Sequence, residues 1–117
     1  MTRRPDWAVR LAALLSAVEA RPFDAHRWNC GRFALAAVEA VTGSQPPVRV
    51  LPDLAATADS AGFPRVAPLR ARMGDIVLAP DPDRLGVVLD AGRVAFVGPR
   101  GLLRFPITIC THAWKIG

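Results

Sequence analysis

The stretch "HRWNCGRFALAAVEAVTG" (residues 26–43) decides the fold, because it contains a helix together with both of its end signals. Asn29 is a favourable N-cap residue, and Gly43 suits the left-handed position that follows a helix end. Between them, apolar residues recur at the i, i+3, i+4, i+7 spacing of a single buried face: Cys30, Phe33, Ala34, Ala37, Val38 and Val41. The pattern predicts a helix over 29–42, with Cys30 at its start and on the buried side.

The region before this stretch has the spacing of a second amphipathic helix. Its apolar residues are Trp7, Leu11, Leu14, Leu15 and Val18. Two arginines followed by an apolar run also resemble a secretory signal, but Asp6 interrupts the basic region and Glu19 falls at the supposed cleavage point. We therefore expect a helix over about 5–20, which the proline at position 22 ends.

The chain after residue 43 changes from helical to strand-like spacing. Asp53 can cap a short third helix over about 53–61. Five short apolar runs with proline or glycine between them then read as strands: 74–80, 85–90, 93–98, 102–107 and 110–116. The sequence therefore predicts one α+β domain over 1–117, in which N-terminal helices pack on a C-terminal antiparallel sheet of five strands.

Composition narrows the classes of function. The chain has 15 Lys and Arg residues against 10 Asp and Glu, and the arginines are scattered rather than clustered. Without an aromatic-basic platform or a phosphate-binding loop, this pattern favours a solvated or protein-binding surface over nucleic acid. No apolar run approaches the roughly 18 residues of a membrane span. Two cysteines 80 residues apart form neither a disulfide framework nor a CxxC motif.

A cysteine at a helix start, followed by "GDIVL" (74–78) and antiparallel strands, resembles the NlpC-like branch of the papain-fold cysteine peptidases. Within that branch, the chain is similar to small proteins encoded among phage and prophage tail genes. The stretches that carry the resemblance are "PFDAHRWNCGRFALAAVEAVTG" (22–43), "LRARMGDIVLA" (69–79), "LGVVLDAGRVAFVGPRGL" (85–102) and "AWKIG" (113–117). The resemblance implies a papain-like fold in which Cys30 has the place of the nucleophile.

The remaining catalytic positions of the resemblance are not occupied by catalytic residue types. In NlpC-like enzymes a histidine begins the strand after the Gly-Asp strand, and a polar residue on the next strand orients it. Alignment through Gly86 puts Arg84 at the histidine position and Phe96 at the orienting position. Arginine stays protonated and phenylalanine forms no hydrogen bond, so neither can act. The resemblance therefore implies a catalytically degenerate peptidase.

Several roles for Cys30 stay open at this point. It is a packing residue, or a nucleophile whose base is His112 on the last strand or His26 in the preceding loop. Every cysteine and histidine also falls into two pairs, His26 with Cys30 and Cys110 with His112, which allows a metal site. A disulfide between Cys30 and Cys110 is a further alternative.

The expected function follows from the resemblance. We expect a tail-tip component of a phage, prophage or phage-derived particle, made in the bacterial cytoplasm and located in the virion tail. Its partners would be tail hub and tail-tip proteins, with no cofactor or metal. The alternative is an active cysteine peptidase or amidase that cleaves peptidoglycan cross-links during DNA entry, with Cys30 as nucleophile and His112 as base. We expect Asp75 to anchor a turn, and Arg3 to be solvated.

Overall fold

Three helices precede an antiparallel sheet in the computed structural model, which describes all of residues 1–117. The helices are α1 (Trp7–Val18), α2 (Cys30–Thr42) and α3 (Leu54–Asp59). The strands are β1 (Arg65–Val66), β2 (Ile76–Ala79), β3 (Arg84–Val88), β4 (Arg93–Gly98), β5 (Gly101–Pro106) and β6 (His112–Trp114). Short 3₁₀ helices lie at Pro68–Arg70 and Ile107–Ile109. The predicted α+β class and its order of elements are confirmed.

The sheet has six strands rather than the five that were predicted. The additional strand is β1, whose two residues pair with β6 through Arg65 opposite Trp114 and Val66 opposite Ala113. Two residues carry no periodic pattern, so this strand exists only because β6 supplies its hydrogen-bonding partner. The resulting order is β1-β6-β2-β3-β4-β5, with every neighbouring pair antiparallel.

The end signals of α2 act as the sequence predicts. The Asn29 side chain accepts a hydrogen bond from the Arg32 backbone N–H, and Gly43 adopts a left-handed φ of 91° while its N–H donates to the Glu39 carbonyl. These contacts satisfy backbone groups that a helix leaves unpaired at its two ends. At 13 residues α2 is the longest helix, and no helix has the length and apolar character of a membrane span.

The register assigns side chains to the two faces of the sheet. Leu78 lies opposite both Leu85 and His112, and Ala79 lies opposite Arg84. Cross-strand partners share a face and neighbours along a strand alternate, so His112 and Arg84 are on opposite faces. We call the face of Leu78 and His112 the helix face, because its apolar residues form one cluster with α1 and α2. The other face has a separate cluster that includes Val77, Phe96 and Ile107.

An ion pair joins the N-terminal segment to the sheet. Arg3 donates to the Asp75 carboxylate at 3.0 Å, and also to the backbone carbonyls of Met73 and Ile116. Asp75, which is 1% exposed, also accepts hydrogen bonds from the backbone N–H groups of Arg72 and Ile116. The expectation that Asp75 anchors a turn is confirmed. The expectation that Arg3 is solvated is wrong, because its side chain is buried against Asp75. Local pattern could not predict this contact, since the two residues are 72 positions apart in the sequence.

Candidate functional site

Cys30 is the first residue of α2 and is half-buried against the helix-face cluster. The direction of α2 follows from its far end, where Val41 packs directly against Gly74, just before β2 begins. The N-terminus of α2 therefore points toward the end of the sheet where β2 finishes and β3 starts. Gly31 and Leu85 line one cavity there, which brings Cys30 to the same end as Leu78 and His112.

His112 is held by two residues close to it in the sequence. Its ring stacks on the Trp114 ring, with centroids 6.0 Å apart and planes 11° apart. Its Nδ1 lies 2.8 Å from the Thr111 hydroxyl oxygen, which leaves Nε2 as the nitrogen without a protein partner. The structure thus places His112 on the face and at the end of the sheet where Cys30 lies. No hydrogen bond joins the Cys30 sulfur to this imidazole, so the two residues share a region without forming a dyad.

Asp59 connects α3 to this part of the sheet. Its carboxylate accepts two hydrogen bonds from Arg65 and one from the Trp114 indole at 2.9 Å. These bonds, Arg65 first and Trp114 second, lower the pKa of Asp59 to about 2, with a smaller contribution from the charge of His112. The carboxylate fixes Trp114, and through the ring stack it supports His112. No local pattern predicts this link, because Asp59 and Trp114 are 55 residues apart in the sequence.

Arg84 and Phe96 contact each other, but on the face of the sheet away from Cys30. The Arg84 guanidinium carbon lies 4.9 Å from the Phe96 ring centroid and 5.5 Å from that of Phe105. Its Nε atom is buried without a hydrogen-bond partner. Arg84 and Phe96, for which the resemblance implied the histidine and orienting positions, therefore form a cation–π stack. Because Cys30 packs against the opposite face of the sheet, neither residue can contact its sulfur.

Cys110 belongs to that second face. It is half-buried against the cluster of Val77 and Phe96, and burial raises the pKa of its thiol to about 11, although the nearby Arg84 charge lowers it. Both cysteines are free, and they pack against opposite faces of the sheet, so the disulfide alternative is wrong.

The metal alternative is also not supported by the arrangement of the four residues. His26 is exposed in the turn between Asp24 and Trp28, where its backbone N–H donates to the Asp24 carboxylate. No group of three or more cysteine, histidine or acidic residues comes together anywhere in the structure. The two sequence pairs therefore do not converge on a common ligand geometry.

Comparison with known protein families identifies one match. The profile of a family described as a domain of unknown function, DUF6950, matches residues 2–52 and 48–116, which together span nearly the whole chain. The chain belongs to the DUF6950 family. No protein with a curated description matches it.

This DUF6950 domain has a second feature beside Cys30 that the sequence did not reveal. A cavity of about 260 Å³ lies between α2, α3, the connecting segment 46–50 and the helix face of the sheet. Of its 16 lining residues, 13 are hydrophobic. The alternating apolar residues Val48 and Val50 are a weak signal of it, since both line the cavity from a connection that begins with two prolines.

The chemistry available at this end of the DUF6950 domain is therefore limited but specific. The first turn of α2 offers a thiol together with backbone N–H groups, which can stabilise a developing oxyanion. His112 offers an imidazole whose Nδ1 is already oriented by a hydroxyl group. What the arrangement lacks is the hydrogen bond that would couple the two.

Proposed function

We propose that the chain is a structural component of a phage or prophage tail tip, in which a peptidase-like domain has lost hydrolytic activity. The observation that carries the proposal is the Cys30 thiol at the start of α2 with no imidazole hydrogen-bonded to its sulfur. A thiol without a base to accept its proton is a weak nucleophile near neutral pH. The placement in a tail rests on the resemblance to tail-encoded NlpC-like proteins.

The Arg84 stack supports the same proposal. A catalytic histidine at this position would have to face Cys30, but Arg84 lies on the other face and covers the rings of Phe96 and Phe105. An arginine and a phenylalanine that stabilise each other in this way have a packing role. Reverting one of them to a catalytic residue type would not recreate a dyad.

The charge of the surface fits a docking role. Eight exposed arginines form no ion pair: Arg21, Arg27, Arg32, Arg49, Arg70, Arg72, Arg93 and Arg100. Arginine is enriched in protein interfaces, where its planar guanidinium group binds carboxylates through two parallel hydrogen bonds. We therefore propose acidic surfaces on tail hub or tail-tip subunits as the partners.

A complementation experiment in a phage whose tail genes encode the chain tests this proposal. Deleting the gene is expected to abolish infective particles, and the Cys30→Ala variant is expected to restore them fully. The chain should also be detected in purified tails by mass spectrometry. Absence from purified tails, or failure of a correctly folded Cys30→Ala variant to restore infectivity, would overturn the proposal.

A second candidate function is favoured by the position of His112. An imidazole on the helix face, with Nδ1 fixed by Thr111 and Nε2 free, is what a cysteine hydrolase needs if the first turn of α2 moves toward it. The thiol proton would pass to His112 while the sulfur attacks an amide carbonyl. The amine would leave with that proton, and water would then hydrolyse the thioester. Peptidoglycan cross-links are the substrate that the resemblance implies.

Muropeptide hydrolysis distinguishes the two candidates. For the hydrolase, release of new amino groups should require both Cys30 and His112 and should survive Cys110→Ala, which is the matched control on the other face. The structural proposal predicts no release by the wild-type chain. Equal release by wild type and Cys30→Ala would point to a contaminating enzyme and would rule out the hydrolase.

A further inference from the structure

The cavity beneath α3 is large enough to hold a ligand. Its volume of about 260 Å³ exceeds the roughly 150 Å³ at which an apolar protein cavity already binds benzene. Its walls come from α2, α3, the segment 46–50 and the sheet, so separate elements of the fold converge on it. Because protein interiors contain few voids larger than a water molecule, a cavity of this size is a candidate binding site rather than a packing defect.

The polar groups around the cavity are already engaged with the protein. The Thr57 hydroxyl accepts from the Leu51 N–H at 2.8 Å and contacts the Leu51 and Asp53 carbonyls at 3.1 Å. The Trp114 indole N–H donates to Asp59. A bound water needs two to four polar partners, and these groups have little capacity left. We therefore expect the part of a ligand that lies inside the cavity to be a hydrocarbon.

The mouth of the cavity is identified by Val50, which lines it and is nevertheless 91% exposed. Arg49, the preceding residue, is exposed and forms no ion pair. Arg32 is also exposed and without an ion pair, and it lies between the lining residues Gly31 and Leu35 in the first turns of α2. Of the carboxylates near the cavity, Asp59 is paired with Arg65, whereas Asp53 accepts a hydrogen bond from the Ala55 N–H at the start of α3 and has no ion pair. Lys115, between the lining residues Trp114 and Ile116, is a third exposed cation without an ion pair. Three unpaired cations against the single unpaired carboxylate of Asp53 make the charge next to the lining residues positive overall.

We propose that this cavity binds the hydrocarbon tail of an anionic amphiphile, with the head group at the mouth beside Arg49 and Arg32. A carboxylate on an acyl chain of about ten carbons has the required chemistry. The inference is independent of the tail-tip proposal, since it rests on the cavity and its rim and not on Cys30. Loss of infectivity in the complementation experiment would leave it unaffected.

Calorimetric titration of the full chain with three ligands of equal tail length tests the proposal. Decanoate is expected to bind most tightly, 1-decanol more weakly, and decyltrimethylammonium most weakly because its head group is repelled. The substitution Ala58→Leu fills the cavity from α3 and should weaken decanoate binding by about tenfold or more. Ala56→Leu, in the same helix but not on the cavity wall, is the matched control and should bind as wild type.

A second substitution tests the head group. Arg49→Gln should weaken decanoate binding by about threefold and leave 1-decanol binding unchanged, while Arg100→Gln changes neither. Thermal unfolding establishes whether each variant is folded. If Ala58→Leu does not fold, Ala61→Leu replaces it, because Ala61 lines the same cavity. The proposal is overturned if no ligand binds, or if the folded cavity-filling variant binds decanoate as wild type does. Equal affinity for decanoate and decyltrimethylammonium would overturn the anionic head group.

Discussion

Two enclosed arginines, Arg3 and Arg84, show how differently this domain uses the same side chain. The Arg3 side chain is 6% exposed. It has an ion pair with Asp75, two backbone carbonyl partners and the ring of Trp7 at 4.2 Å. Arg84 is half-buried, has an unpartnered Nε and is held by Phe96 and Phe105 alone. The first arginine ties the chain ends to the start of β2. The second covers an aromatic pair.

The two arginines are stabilised by different kinds of interaction. A buried charge is tolerated when hydrogen bonds replace its hydration, as they do for Arg3, even though desolvation by burial still lowers the pKa of its guanidinium. Arg84 lacks such bonds, and its stabilisation comes from the faces of aromatic rings. The contacts of a partly buried arginine therefore decide whether it has a polar role.

The largest effect should follow from breaking the Arg3 contact. Arg3→Met leaves the Asp75 carboxylate buried with backbone donors but no counter-charge, and we expect the free energy of unfolding to fall by about 4 kcal/mol. Urea denaturation followed by circular dichroism measures the change. Arg70→Met, at an exposed residue without an ion pair, is the control. A loss below about 1 kcal/mol would mean that Arg3 does not anchor the chain ends.

The environment of Arg84 should also be visible in the reactivity of Cys110. Burial raises the pKa of this thiol to about 11 from its ordinary 9.0, despite the neighbouring positive charge. At pH 8 its alkylation by iodoacetamide should therefore be about 100-fold slower in the folded chain than in urea. Reactivity should rise as the pH passes from 9 to 11. The Cys30→Ala variant isolates the signal, and equal rates in folded and unfolded chain would contradict the burial of Cys110.

The packing beside Arg84 leaves no space, in contrast to the cavity on the helix face. A methyl group added at Gly86 would lie 2.6 Å from the Ala95 carbonyl oxygen and 2.6 Å from the Phe96 ring. We expect Gly86→Ala to lower the free energy of unfolding by about 2 kcal/mol. Gly31→Ala, on the cavity side, has its nearest new neighbour at 3.5 Å and should instead stabilise α2 by up to about 1 kcal/mol. Thermal denaturation of both variants measures the contrast.

Local signals in the sequence were sufficient for the helices and for five of the six strands. Asn29, Gly43 and Asp53 perform the capping roles that their residue types predict. What local pattern could not provide was any element that depends on a distant partner. Strand β1 is only two residues long and is defined by its pairing with β6. The buried position of Arg3 is defined by Asp75 in the same way.

The candidate site was predicted less completely, for a related reason. Cys30 at the helix start follows from spacing, and the orientation of His112 toward the helix face follows from strand alternation once the register is known. The sequence could not say that Arg84 faces away from Cys30, because a shift of one residue in register reverses the face. The cavity depends on how α2, α3 and the 46–50 segment meet, which no single stretch encodes.

The smallest effect is expected for the substitution Arg84→Met. Arg84→Met keeps an unbranched chain over the rings of Phe96 and Phe105 and removes the buried Nε that has no partner. The lost cation–π attraction and the relieved desolvation are of similar size, so stability should stay within about 1 kcal/mol of wild type. Urea denaturation of Arg84→Met and Arg3→Met under the same conditions measures the two changes in the free energy of unfolding side by side. If the two variants lose the same amount, Arg84 has a polar partner that its ring contacts do not explain.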